Sequence, residues 1–152
     1  MTTGSRDDGA RVVELAGADT HDLRRRVLRV GTPSTQLEFD EDRWEGTVHL
    51  GAVVDDAIVA VSTWVPRDHA GAPAAQLRGM ATEPELQGRG LGALLLHAGC
   101  GRVAERGITL VWARARDAAL DFYLRHGFAV EGDGFVDEAT ALPHHLVVRH
   151  LG

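Results

Sequence analysis

The chain has 152 residues, 44% of them apolar, a formal net charge of −6 and one cysteine. That length supports one domain with a core able to stand alone, and the acidic balance argues against nucleic-acid binding, which needs a clustered basic surface. No apolar run approaches the roughly 20 residues that span a bilayer, and the lone Cys100 excludes an internal disulfide framework and suits a reducing compartment.

The polar start "MTTGSRDDGA" (1–10) has neither the basic nor the apolar region of a signal peptide. We expect it to be disordered, with residues 11–152 forming a single cytoplasmic domain. "RVVEL" (11–15) reads as a short strand. "GADTHDLRRRVLRV" then reads as a helix capped by Asp19 or Thr20, with Leu23, Val27 and Val30 on one side and the arginine cluster as a solvated face. "GTPSTQLEFDEDRWEG" (31–46) gives no clear element. "TVHLGAVV" (47–54) and "AIVAVSTWV" (57–65) are predicted to form a hairpin through Asp55-Asp56. A strand at "QLRGMAT" (76–82) leads through Glu83-Pro84 into a glycine-rich loop. The helix that follows carries Leu91, Leu94, Leu95 and Ala98 on one face and stops near Gly107. "ITLVWA" (108–113) is a buried strand, and "DAALDFYLRHGF" a helix with Asp117 as its N-cap and Gly127 at its stop. "FAVEGD" and "HHLVVRHL" supply two final strands around a loop. Locally paired strands followed by strand–helix–strand–helix imply a mixed α/β sheet.

The stretch "ELQGRGLGALLL" (85–96) fits two phosphate-binding patterns. Read from Gly88 it is G-x-G-x-x-A, the dinucleotide fingerprint. That reading needs the glycines directly after a strand and an acidic residue roughly twenty positions on. Here residues 83–87 intervene, and the acidic position falls on 108–110, "ITL". A P-loop fails because no Lys-Ser or Lys-Thr follows. Physically, Gly88, Gly90 and Gly92 let the backbone approach a ligand, and the N–H groups at the start of a helix form an anion site suited to a pyrophosphate. Arg89 can add positive charge. The eight histidines are scattered without metal-ligand spacing, so no metal is expected.

"LRGMATEPELQGRGLGALLL" resembles the acetyl-CoA-binding motif of the GNAT superfamily of N-acetyltransferases, with Gln87, Gly90 and Gly92 at its R/Q-x-x-G-x-G/A positions. "AALDFYLRHGF" is similar to that family's A-x-x-x-Y-x-x-x-G-F helix end through Ala119, Tyr123, Gly127 and Phe128. "LPHHLV" resembles a Pro-His near the last strand in a poorly characterised bacterial branch. The resemblance implies a GNAT-like fold, a single mixed central β-sheet flanked by helices and splayed at the acetyl-CoA site. It also implies that backbone groups of Met80, Ala81 and Thr82 hold the pantetheine arm. The pyrophosphate would sit on Gln87, Gly88, Arg89, Gly90, Leu91 and Gly92.

The implied chemistry is direct attack of a primary amine on the acetyl thioester in a ternary complex. An amine with a pKa of about 10.4 must lose a proton, and a thiolate of about 8.5 benefits from an acid within reach. Tyr123, the only tyrosine, resembles the family's general acid. For the base, "QLRGMAT" offers no carboxylate, Arg78 standing where one would help, and Glu83 sits in an exposed bend. His144 is the candidate base beside a water relay. Arg114 and Arg116 replace a frequent family asparagine and could serve CoA phosphates, an acidic acceptor or the surface. Glu38, Asp40, Glu41 and Asp42 would border the acceptor cleft and could suit a cationic amine. Cys100 reads as a buried structural thiol rather than a nucleophile. The expected function is an acetyl-CoA-dependent N-acetyltransferase, possible as a homodimer since superfamily members often pair. The alternative is a non-catalytic acyl-CoA-binding sensor on the same fold. Neither reading names the acceptor.

Overall fold

The computed structural model describes residues 9–152; the expected disordered start lies, apart from its last two residues, outside the described residues. Seven strands form one mixed sheet in the order β1-β2-β3-β4-β5-β7-β6. They are β1 (Arg11–Leu15), β2 (Val48–Val54), β3 (Ala57–Pro66), β4 (Ala75–Thr82), β5 (Leu110–Arg116), β6 (Ala129–Val136) and β7 (Pro143–His150). Every neighbouring pair is antiparallel except β4 and β5. Asp55 and Asp56 both take positive φ, 50° and 63°, and a two-residue turn of that hand matches the twist of β2 and β3. The parallel β4–β5 pair needs a crossover, and helix α2 (Leu91–Glu105) supplies it.

Helix α2 lies on one face of the sheet because its apolar residues recur at helical spacing. Leu91, Leu95 and Leu96 are at most 1% exposed, each contributing about 1.5–3 kcal/mol by burial. Gly99 permits the close approach to β3: a Cβ there would lie 1.9 Å from the Trp64 indole. The helix ends as expected at Gly107 (φ 79°), where Gly107 and Ile108 N–H groups donate to the carbonyls of Ala104 and Val103, satisfying two orphan acceptors.

A short helix α3 (Leu120–Arg125) follows a 3₁₀ turn at Asp117–Ala119. Its end explains the G-F pair in "YLRHGF". Gly127 takes φ 90°, its N–H donates to Leu124 O, and the Phe128 N–H donates to Tyr123 O at 3.1 Å. This closure brings the Phe128 ring edge-on to Tyr123, centroids 5.2 Å apart. Asp117 does not cap the helix; its carboxylate bonds His145 Nδ1 at 2.6 Å instead.

The opposite face of the sheet carries a segment that departs from the predicted helix. It is a 3₁₀ turn (Gly17–Thr20), a single α turn α1 (His21–Leu23) and a π turn (Arg24–Leu28). The run starts at Ala16, whose N–H donates to Asp19 Oδ2; Thr20 is the N-cap position of α1, but its hydroxyl donates to Gly17 O instead of capping that helix. Val30 is 70% exposed, because the helical run stops at Leu28 and the wider π turn shifts the apolar stripe. The arginine cluster divides: Arg25 and Arg26 pair with Asp22 at the surface, whereas Arg24 is fully buried. Residues 31–46 fold over this face with one 3₁₀ turn at Asp40–Arg43.

Candidate active site

Strands β4 and β5 pair only over residues 75–77 against 111–113. Beyond that they diverge, and the β4 edge from residue 78 to 82 has no strand partner on that side among the described residues. A bulge sits at the divergence: on β3, Ser62 alone faces both Gly79 and Met80. Gly79 has φ +59°, and a Cβ there would lie 3.0 Å from Arg24 Nε, so both conformation and space require glycine. A cavity of about 270 Å³ occupies the divergence.

Strand alternation determines what faces the cavity. Val111, Ala113 and Ala115 turn into the α2 side of the core, together with Tyr123. Arg114 and Arg116 therefore project from the opposite face. β7 pairs His144 with Arg116, placing both on that face. Tyr123 and His144 thus reach the same cavity from opposite faces of the sheet, and Met80 lines it between them.

Tyr123 is 8% exposed, and burial pushes its phenol up to about 12, so it stays protonated across neutral pH. The hydroxyl has no hydrogen-bond partner among the described residues. His144 is 6% exposed; its Nδ1–H donates to Leu142 O at 2.9 Å. In the neutral ring that bond leaves Nε2 as the lone-pair nitrogen. Phe135 stacks beside it, centroids 5.8 Å apart.

The cavity wall on this face is rich in arginine. Arg29, Arg78, Arg114 and Arg116 line it, with Asp137 the one lining carboxylate. Phe39, buried under them, has the Arg24 and Arg78 guanidinium groups 4.1 and 4.0 Å from its ring centre, a favourable cation–π arrangement. Arg24 makes a two-pronged pair with Asp42 (2.7 and 3.1 Å) and also donates to Leu37 O and Thr63 Oγ1. Arg78 pairs with Glu41, which also takes Arg67 at 2.9 Å. Burial pushes the Glu41 carboxyl up, but its backbone hydrogen bond and the two guanidinium groups outweigh that, and the net direction is down. Asp137 accepts from Arg114 at 2.9 Å and from Thr140 N and Oγ1 at 3.0 Å. Burial alone would raise it; these bonds hold it at about 2.

The glycine loop lies apart from this wall. A 3₁₀ turn (Pro84–Leu86) follows β4, and Gln87 Nε2 donates back to Thr82 O at 3.2 Å. Gly88 and Gly90 take φ of 81° and 87°, and Gly90 is the N-cap of α2 with no side-chain cap. The first-turn N–H groups of α2 are therefore open to an anion. Gly88, Arg89 and Gly90 are exposed, while Leu91 is buried and anchors the helix start. A Cβ added at Gly92 would lie 3.4 Å from the Phe122 ring, so the start of α2 lies beside the residue preceding Tyr123.

The structure thus brings Met80, Tyr123 and His144 to one cavity. Ala81 turns into a small core with Leu23 and Val61, and Thr82 continues the strand. Residues 87–92 do not line the cavity. None of Glu38, Asp40, Glu41 and Asp42 lines this cavity: Glu41 and Asp42 are held by Arg67, Arg78 and Arg24, and Glu38 pairs with Arg43. Arg24, Arg29, Phe39 and Asp137 were not singled out from sequence. The alternation of Ala113, Arg114, Ala115 and Arg116 on a strand was a signal that could have exposed the arginine wall. Cys100 is buried outside the cavity, and burial pushes its thiol up. Among the described residues no cluster of three or more metal-ligating side chains occurs, and no helix is long and apolar enough to cross a membrane.

The site is thus a parallel pair that splays over a bulge, beside an uncapped glycine-led helix. The Acetyltransferase (GNAT) family matches residues 18–128, and the chain belongs to that family. YitI of Bacillus subtilis (strain 168), named as an uncharacterised N-acetyltransferase, is 29% identical over 140 residues, covering 90% of this chain and 93% of its own. The fold is similar to Escherichia coli ElaA (TM-score 0.77, 15% identity, 93% and 99% of the two chains). It is likewise similar to an acyl-CoA N-acyltransferase from Pseudomonas aeruginosa (TM-score 0.75, 20% identity, 92% and 99%). The protein is an acetyltransferase-family enzyme of mixed α/β fold.

Proposed function

We infer that the protein transfers the acetyl group of acetyl-CoA to a primary amine by direct attack in a ternary complex. The observation that carries this reading is Tyr123 and His144 lining one cavity at the β4–β5 divergence. The unpartnered β4 edge, with backbone groups of Met80, Ala81 and Thr82, hydrogen-bonds the pantetheine arm as an added strand would. The pyrophosphate rests on N–H groups of residues 87–92 at the α2 start. The amine nitrogen forms the new bond to the thioester carbon and passes its proton to His144 Nε2. The C–S bond then breaks, the departing thiolate takes the proton of the Tyr123 hydroxyl, and solvent takes the proton from the His144 imidazolium and returns one to the Tyr123 phenolate. Desolvation raises phenol and thiol in the same direction, which limits the mismatch between them. The reading includes residues 11–152 as one domain and a cytoplasmic setting, and it is compatible with a homodimer.

The test begins with thermal unfolding in the presence of acetyl-CoA, CoA, NADP or ATP. At a hundred times Kd a ligand stabilises by about 2.7 kcal/mol, a shift of several degrees for this length. Acetyl-CoA and CoA are expected to raise Tm and the other two to leave it. Free thiol release is then measured with an amine panel for the protein and for Tyr123→Phe. Loss of turnover with retained CoA binding supports the acid role. CoA binding with no turnover on any amine returns the chain to a binding module, and stabilisation by NADP alone overturns the reading.

A further inference from the structure

We propose that the acceptor is a small amino dicarboxylate, an amine of amino-acid size carrying two acidic groups. This rests on the transferase reading above and concerns the substrate of the same site. Four arginines line the cavity against one lining carboxylate, Asp137, and Asp137 is already engaged by Arg114 and Thr140. Arg78 is engaged by Glu41. Arg29 and Arg116 have no carboxylate partner among the described residues. Arg29 Nε donates only to Gln36 O at 2.6 Å, and Arg116 Nη2 only to Leu28 O at 2.6 Å. Each guanidinium has five N–H donors, so both keep donors to spare at a half-buried site.

Two half-buried guanidinium groups beside each other are costly without a counter-charge. Burial first, and then Arg116, Arg24 and Arg78, push Arg29 below its ordinary value, and burial does the same to Arg116; Asp137, shared with Arg114, opposes the shift in both and does not reverse it. A ligand with two carboxylates supplies both missing partners by two-pronged bonds. These arginines stand on the face opposite α2 and the glycine loop, so they do not duplicate the pyrophosphate site. The volume of about 270 Å³ must also admit the acyl end of the donor, which restricts the acceptor to a few heavy atoms more than an amino acid. His144, facing Arg116 in the β5–β7 register, is then the nearest base to an amine whose acid groups the arginines hold. A cationic polyamine or an aminoglycoside would meet like charge at the same wall.

The test compares isosteric pairs, glutamate with glutamine and aspartate with asparagine, together with putrescine, by thiol release at fixed acetyl-CoA. We expect kcat/KM for at least one dicarboxylate to exceed that of its amide by tenfold or more, with putrescine inert. Arg29→Gln should raise KM for that dicarboxylate about tenfold or more, and by more than it raises KM for the amide, while leaving KM for acetyl-CoA within twofold. Glutarate, which lacks an amine, should raise Tm of the CoA complex for the wild-type chain and not for Arg29→Gln. Amides or putrescine acetylated as well as the dicarboxylates, or a dicarboxylate preference unchanged in Arg29→Gln, overturns this inference and leaves the transferase reading standing. CoA-induced stabilisation with no amine acetylated overturns both.

Discussion

The two faces of the β4–β5 divergence are built on different chemistry. On the α2 face the candidate cofactor site consists of backbone: positive-φ glycines at 88 and 90, an uncapped helix start and an unpartnered strand edge. On the other face the site consists of side chains, arginines around Phe39 held in place by Glu41, Asp42 and Asp137. A backbone site tolerates changes of side chain and fails when backbone geometry fails. A side-chain site does the reverse. The family generally uses acetyl-CoA, whereas the arginine face of this chain is built from particular side-chain charges.

The largest effect should come from breaking the scaffold of the arginine face. Arg24→Met leaves the Asp42 carboxylate, 4% exposed, without its partner, at a cost of about 3–5 kcal/mol. Calorimetry should show Tm lower by roughly 10 °C on that basis, with the CoA-dependent increment in Tm preserved. A preserved transition temperature would mean that the face is not built on this pair. Tyr123→Phe should reduce kcat about a hundredfold, in the usual range for a general acid, with Tm unchanged or slightly higher. Isothermal titration should return the wild-type CoA affinity.

Alkaline titration isolates the same residue. Tyr123 has its pKa raised from 10.0 to about 12, so its contribution to stability is complete below about pH 10 and is lost as pH rises towards 12. The span corresponds to about 3 kcal/mol. With no second tyrosine in the chain, tyrosinate absorbance reads this group alone, and an ordinary midpoint near 10 in the folded protein would contradict its burial. On the glycine side the effects shrink. Gly90→Ala must place an L-residue at φ 87°, costing about 1–2 kcal/mol, seen as weaker CoA binding with the acceptor KM unaffected. Arg89→Ala should weaken CoA binding less than about threefold, as expected for an exposed charge beside a backbone site; a larger loss would show that side chains carry this face too.

The same division explains what sequence could reveal. The glycine loop and the G-F helix end were legible because their signals are local: a positive φ, a helix start and a stop lie within a few residues. The hairpin at Asp55-Asp56 and the seven strands were legible for the same reason, from alternation and turn chemistry. The arginine face joins Arg29 and Gln36 to Arg78, Arg114, Arg116 and Asp137, and no local pattern reports which distant strands will lie side by side. Arg24 sits in "LRRRV", where an exposed helix face is the ordinary outcome; a π turn and a buried Asp42 overrule it. The acidic residues at 38–42 looked like a cleft for cations because their arginine partners come from elsewhere in the chain.

The bulge at Gly79 gives β4 a phase slip. Before it, even-numbered Gln76 and Arg78 share a face with Thr63; after it, odd-numbered Ala81 takes that face against Val61 and Leu23, while Met80 packs with the α2-side core. The strand is thus read in two frames, and each half of the site keeps its own inside and outside. Straightening the bulge with Gly79 kept in a regular ladder would merge the frames, turning Met80 toward the arginines and Ala81 away from Leu23. One residue without a side chain keeps the two faces independent.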